Sequence, residues 1–407
     1  MRRPLEGVKV IELSTMVAAP ATGRLMADLG AEVIKIERPD GDGWRSSGIS
    51  FNVARFSQDA NPVFDIYNAG KKFIALNMKE EEGQKIFHEL LKTADVFLTN
   101  NREKALKRLQ CSYDDLKEKY PKLIYAQISG FGAKGPDADM TALDTTAFWS
   151  RSGFMRDLGV IGEDGSYNPC FPPAGVGDTD TAYLLLSQIN AALFQRERTG
   201  EGQYVEASLY HTGIFTTGTM QIVHQKPWGR KFPTTRPNHS NPGGYFKCKD
   251  GEYIFIATIN GLRTTEQMCQ LVNRPEMLDQ LLLGDPVLRW QQREDLYKLF
   301  SDIFITEDSD TWIKKGKELD MTIDLYHHFG DVFEDEQAIA NDFVEQVEFR
   351  NGVTYGMPRS PFHMGSLPLP QTIPAGPVGA DTKEILQALG HNDDEITALL
   401  EKGVIKD

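Results

Sequence analysis

Asp178 stands in the run Ala174-Gly175-Val176-Gly177-Asp178-Thr179-Asp180-Thr181, directly ahead of a long apolar segment that ends Arg196-Glu197-Arg198-Thr199-Gly200-Glu201-Gly202-Gln203. Two glycines permit a sharp turn and a close approach of the backbone to a ligand. The carboxylate then falls at the N-terminus of the predicted helix, where unpaired N–H groups and the helix dipole favour the anion. An anionic carboxylate held beside bare backbone can act as a nucleophile. The same spacing also describes an N-cap aspartate with no chemistry, and spacing alone favours that second reading.

The elements that must position this turn alternate between strand and helix. Val8–Leu13 reads as a buried strand, Ala19–Leu29 as a helix stopped by Gly30, and Glu32–Glu37 as the next strand. Phe73–Met78, a helix from about Glu80 to Ala94, and Val96–Thr99 repeat the unit. Ser112 and Asp115 have the spacing of a capping box, and Leu123–Ile128 and Tyr204–Leu209 read as further strands. Such alternation predicts an α/β chain with a Rossmann-like parallel sheet covered by helices. Residues 226–244 are rich in Pro, Gly and Asn, as expected of a functional loop or a domain connector. Beyond them, Tyr253–Ala257 and several amphipathic helices suggest a smaller α+β domain. A second Pro-rich passage at 358–377 leads into short helices at Asp381–Leu389 and Glu395–Leu400.

With 407 residues, 40% hydrophobic and 25% charged, the chain has the make-up of a soluble globular protein of about two domains. A net charge of −14 argues against a nucleic-acid partner. Cys111, Cys170, Cys248 and Cys269 are scattered, which indicates neither a zinc site nor a disulfide framework. No signal-type or membrane-length apolar run is present, so a cytoplasmic protein without membrane association is expected. No G-x-G-x-x-G or Walker loop supports a nucleotide site, and G-x-S-x-G is missing. Asp40-Gly41-Asp42-Gly43 lacks the remaining ligands of a calcium loop, and adjacent His327 and His328 diverge, so no metal site is expected.

Several blocks in fixed order resemble the class III CoA-transferases. They are Val10–Leu13 with Ala18-Ala19-Pro20, Leu29–Glu37, Asn68–Lys72 with Leu76–Lys79, Ser129–Pro136, the Asp178 turn, and Pro374–Ile405. The pattern is most similar to the 2-hydroxy-acid subgroup, which acts on phenyllactate or 2-hydroxyisocaproate, and Tyr113–Leu123 adds to that similarity. The resemblance implies an interlocked homodimer, each chain threaded through the other. It implies a large Rossmann-like domain begun by residues 1–212 and completed by 371–407, linkers at 213–232 and 326–370, and a small α+β domain over 233–325.

The resemblance places the nucleophile on Asp178 and the coenzyme A contacts on Val17, Ala18, Arg38, Leu76, Lys79 and the segment Asn100–Arg108, including Arg102. Arg38, Lys79, Arg102 and Arg108 suit a ligand that carries a pyrophosphate and a 3′-phosphate. It implies coenzyme A thioesters as substrates and no tightly bound cofactor. The partners would be an acyl-CoA, a carboxylic acid and a second copy of the chain. Asp178 would attack the acyl-CoA to give a mixed anhydride, and the released thiolate would convert it into an aspartyl-CoA thioester. Backbone N–H groups of the glycine-rich stretches would stabilise the oxyanions, and 238–244 would exclude water. The central domain and the 226–244 loop would line the acyl pocket.

Two departures count against formyl-CoA and oxalate. Val17 replaces a polar Gln, and Asn238–Gly244 replaces a run of glycines. Carnitine, bile-acid and oxalate/formyl transferases remain alternatives, as does a coenzyme-binding homologue without turnover. An α-methylacyl-CoA racemase would need a histidine where Leu143 stands, ahead of Asp144.

Overall fold

The computed structural model of the chain describes residues 2–53, 55–57, 60–162, 164–226, 243–257, 261–365 and 367–407. They form two compact units. The first takes the chain up to Arg156, resumes at Cys170 and ends with Phe333–Asp407; the second holds Asp157–Pro169 and the central stretch ending at Val332.

The first unit opens with β1 (Lys9–Leu13), α1 (Ala18–Asp28) and β2 (Glu32–Glu37). α1 stops where Gly30 turns left-handed at φ +103°. α2 (Pro62–Asn68) has proline at its first position and is capped by Asn61, whose side chain accepts the Val63 N–H at 3.1 Å. The alternation continues through β3 (Lys72–Leu76), α3 (Glu81–Leu91), β4 (Val96–Thr99), α4 (Glu103–Arg108), α5 (Tyr113–Leu116) and β5 (Ile124–Ser129). The capping box at Ser112 is formed, with Asp115 accepting the Ser112 N–H at 3.0 Å. α6 (Val176–Thr199) and β6 (Tyr204–Ser208) complete the series.

These strands form a sheet in the order β3-β2-β1-β4-β5-β6, every neighbouring pair parallel. The final strand of the chain, Ile405–Lys406, adds antiparallel to β3. The result is a mixed α/β fold around a mostly parallel sheet. Alternate strand residues explain the continuous apolar runs. Val10, Val33 and Val96 pack with Leu25 of α1 and Leu185 of α6, while Ile11, Ile34 and Phe97 pack with Phe87 of α3 and the C-terminal Leu386. Strand order reverses between β1 and β4, and the crevice outside the C-terminal strand ends at such a reversal is where open α/β sheets take ligands.

Two wholly buried charges interrupt the apolar strands. Lys35 of β2 pairs with Glu12 of β1 at 3.1 Å and with Asp42 at 2.9 Å, and Lys71 pairs with Glu12 at 2.8 Å. Gly23 of α1 leaves the space that the Glu12 carboxylate occupies. Asp42 in turn accepts the Thr15 hydroxyl at 2.7 Å and the Met16 N–H at 3.1 Å, and so holds Met16 at a left-handed φ of +67°. The β1–α1 turn is thereby fixed from the interior.

In the second unit, β7 (Gly244–Lys247), β8 (Tyr253–Ile256) and β9 (Ile323–Leu325) form an antiparallel sheet in the order β9-β8-β7. Phe246, Ile254, Phe300, Phe304 and Trp312 supply its core. The residues 238–242 expected to cover the site lie outside the described residues.

Both stretches read as linkers contain regular structure. The first begins inside α7 (Leu209–Thr216) and continues with a helix at Gly218–Val223. The second holds a hairpin of β10 (Val344–Glu348) and β11 (Thr354–Pro358), whose Val347 and Met357 bury against Phe349 and Ala60. Its turn uses Asn351-Gly352, with Gly352 at φ +73°. The Pro-rich passage that follows masked an ordinary hairpin signal.

Candidate active site

Gly175, at φ +79°, is the N-cap of α6, so Asp178 is the third residue of the helix and not its cap. Each glycine of the turn has its own reason. A β-carbon at Gly175 would sit 2.5 Å from the Tyr67 hydroxyl and 3.8 Å from Val17, quite apart from the left-handed backbone. Gly177 has ordinary helical geometry, but a β-carbon there would collide with the Phe148 ring and the Asp144 carboxylate.

Asp144 is buried and accepts the Gly175 N–H on Oδ2 at 3.0 Å. It precedes a π-helical stretch, Thr145–Ser150, which turns Phe148 and Trp149 into the core. Burial pushes the Asp144 carboxyl up to about 6, against the pull of the Gly175 and Gly177 N–H groups. Asp178 is half-buried, and burial together with the Asp144 charge pushes it up to about 7. The helix N-terminus was expected to favour the anion, but desolvation and a second carboxylate outweigh it. Burial, then the Asp178 charge, also raises the Tyr67 phenol, while the Thr179 hydroxyl pulls it the other way. Two carboxylates and a phenol thus converge on one helix turn.

The geometry predicts the pH response of any reaction in which Asp178 must be ionised. Rate should rise with pH through about 7. Asp144→Asn retains an acceptor for the Gly175 N–H but removes a negative charge, so Asp178 ionises more easily and the acid limb of kcat/KM should move to lower pH. A limb that stays in place would separate the two carboxylates functionally.

The other expected site residues gather at the C-terminal strand ends in part. Asn100 accepts the Thr15 N–H at 3.0 Å and donates to the Thr15 carbonyl at 2.7 Å, clamping the turns that follow β1 and β4 across the reversal point. Val17 and Ala18 follow that clamp, both buried, with Val17 against Gly175. Arg38, just after β2, is exposed and pairs with Asp40 at 3.2 Å. Lys79 and Arg102 are exposed beyond β3 and β4, and Arg102 donates to the Thr141 hydroxyl at 3.2 Å. Arg108 ends α4, exposed. Leu76 is different, because its side chain is 1% exposed within the core and its backbone pairs with Ile405. The sequence reading missed Tyr67 altogether and met Asp144 only in the racemase comparison. The signal for Asp144 was a lone acid ahead of the aromatic pair Phe148-Trp149. No group of ligating side chains among the described residues could hold a metal ion, and no described helix is long and apolar enough to cross a membrane.

Comparison with known proteins defines the class. The profile of CoA-transferase family III matches residues 5–382, and the chain belongs to that family. It is 36% identical to the (R)-2-hydroxy-4-methylpentanoate CoA-transferase of Clostridioides difficile, over 99% of both chains. It is 35% identical to the cinnamoyl-CoA:phenyllactate CoA-transferase of Clostridium sporogenes, over 97% of this chain and 95% of that one. A CaiB/BaiF family protein from Brucella suis shares the fold with a TM-score of 0.81 at 26% identity, covering 96% of this chain and 100% of its own.

Proposed function

We propose that this family III CoA-transferase moves coenzyme A from an acyl-CoA donor to a 2-hydroxy acid of the (R) series, such as 2-hydroxyisocaproate or phenyllactate, through Asp178. The observation that carries the reading is a half-buried carboxylate, raised to about 7, on a glycine-built helix turn. The names of the two hydroxy-acid relatives support the substrate class. Asp178 attacks the thioester carbonyl, forming a mixed anhydride and expelling coenzyme A as its thiolate. The thiolate attacks the aspartyl carbonyl, giving an aspartyl-CoA thioester and releasing the donor acid. The acceptor carboxylate reverses both steps, so the thioester energy is conserved. Oxyanion donors come from the first turn of α6 other than Gly175 and Gly177, whose N–H groups already face Asp144. Leu143 has no proton to exchange, which disfavours racemisation. Exchange assays with several acyl-CoA donors against a panel of 2-hydroxy acids test the reading, and absence of exchange with every pair would overturn it.

In this reading coenzyme A lies along the strand-end crevice, with Val17, Ala18, the Leu76 main chain and Asn100–Arg108 beside it and Arg38 and Lys79 on its phosphates. Arg38→Ala and Lys79→Ala should each weaken binding of CoA thioesters about tenfold or more, since a charge-assisted hydrogen bond contributes about 1.5–3 kcal/mol. Unchanged affinity in both variants, measured by calorimetry, would move the coenzyme elsewhere.

The active form is an interlocked homodimer. Phe171 and Phe215 of the first unit are 91% and 83% exposed, apolar surface that a second chain would cover. Linked chains must unfold to part, so the dimer should persist at nanomolar concentration in sedimentation runs. A folded monomer on dilution would exclude the linkage.

A further inference from the structure

We infer that the cavity beside the Gly175 turn is the subsite for the acyl side chain, and that it selects uncharged, branched or single-ring aromatic acids. The inference rests on the proposed role of Asp178. The cavity, of about 280 Å³, is walled by Trp44, Phe51, Val63, Ile66, Tyr67 and Met357, with Gly175 on its edge. All of these belong to the first unit, whereas the acyl pocket was expected from the central domain and the 226–244 loop.

Position comes first. Gly175 caps α6 and Asp178 lies three residues on, within one helical turn of about 5.4 Å. Tyr67 joins the two features, because its hydroxyl abuts Gly175 and its side chain lines the cavity. An acyl carbonyl under attack must come within about 3–3.5 Å of the carboxylate. The carbon chain behind that carbonyl then has a few ångströms to travel before it reaches the cavity.

Chemistry and size narrow the occupant. None of the lining residues carries a charge, and the one indole N–H, that of Trp44, is already donated to the Val63 carbonyl at 3.0 Å. A second carboxylate, as in oxalate or glutarate, would lie there desolvated and unpaired. An apolar cavity of about 150 Å³ suffices for benzene. The present volume therefore holds one ring or an isobutyl group with its linking carbons. A neighbouring cavity of about 210 Å³ shares Ile66 and Tyr67 but is lined by Arg24, Tyr183 and Arg359, a poorer setting for hydrocarbon.

The test compares 3-phenylpropanoyl-CoA with acetyl-CoA as donors in the full-length enzyme. Val63→Phe, which fills the cavity, should lower kcat/KM for the phenyl substrate at least tenfold more than for acetyl-CoA. Ile66→Ala, which enlarges it, should shift the ratio toward the phenyl substrate. An unchanged ratio in both variants overturns the subsite. If neither thioester is exchanged by the parent enzyme, the transfer reading fails by itself, and calorimetry with free 3-phenylpropanoate decides the cavity. Binding to the parent but not to Val63→Phe upholds it; equal binding to both, or to neither, overturns it.

Discussion

Asp178→Ala is expected to lose CoA exchange by about 10³-fold or more, the scale on which removal of a covalent nucleophile acts, while folding at least as stably as the parent. The stability half follows from the sign of the pKa shift. The folded-state carboxyl is raised to about 7 by burial and by Asp144, above the unfolded value of about 3.9. An acid raised on folding costs stability as pH climbs through that interval, so its removal relieves the fold at neutral pH. No cap is lost, because Gly175 holds that position. Thermal melts at pH 7.5 should place the variant at or above the parent. A matching covalent test exists. Donor acyl-CoA without acceptor, followed by borohydride, should reduce an aspartyl-CoA thioester to an alcohol and change the mass of the peptide carrying Asp178. The mark on Asp180 or Asp144 would reassign the nucleophile, and its absence during normal exchange would favour a mechanism without enzyme acylation.

Lys35→Met should destabilise the first unit by about 3–5 kcal/mol, the cost of leaving the buried Asp42 carboxylate unpaired while Glu12 keeps only Lys71. Glu12 and Asp42 both lose an ion pair of about 3 Å with a wholly buried amine. Burial opposes their ionisation, yet Lys71 and Lys35 hold Glu12 below the usual carboxylate range, and Lys35 does the same for Asp42. Removal of Lys35 should also loosen Thr15 and Met16, which hang from Asp42. Urea unfolding gives the measurement, with the slope checked so that a midpoint shift reads as stability. A loss below about 1 kcal/mol would mean that the network behaves like an exposed pair.

The parallel sheet was legible because its strands are buried on both faces and read as mainly apolar runs. The span of β2 matches the expected one, and its central charge, Lys35, is answered in β1 by Glu12. That pairing was itself visible as opposite charges in the middle of two adjacent buried strands. The helix carrying Asp178 was legible from its apolar length and closing glycine, Gly200, at φ +74°. The carboxylate pair was not, because Asp144 meets Gly175 across 31 residues of chain and no local periodicity encodes such a contact. The hairpin at 344–358 was hidden by the proline-rich passage that follows it, and with it the contribution of Met357 to the cavity wall.

The pairing of Ile405 with Leu76 has a consequence in time. Until residues 381–406 leave the ribosome, β3 has a bare edge, and the backbone N–H groups of Phe73 and Ala75 lack the Asp381 and Thr382 acceptors that later satisfy them. At about 5–20 residues per second, that edge waits for tens of seconds. For that interval the bare edge is open to strand addition by another copy, the general hazard of an unpaired strand.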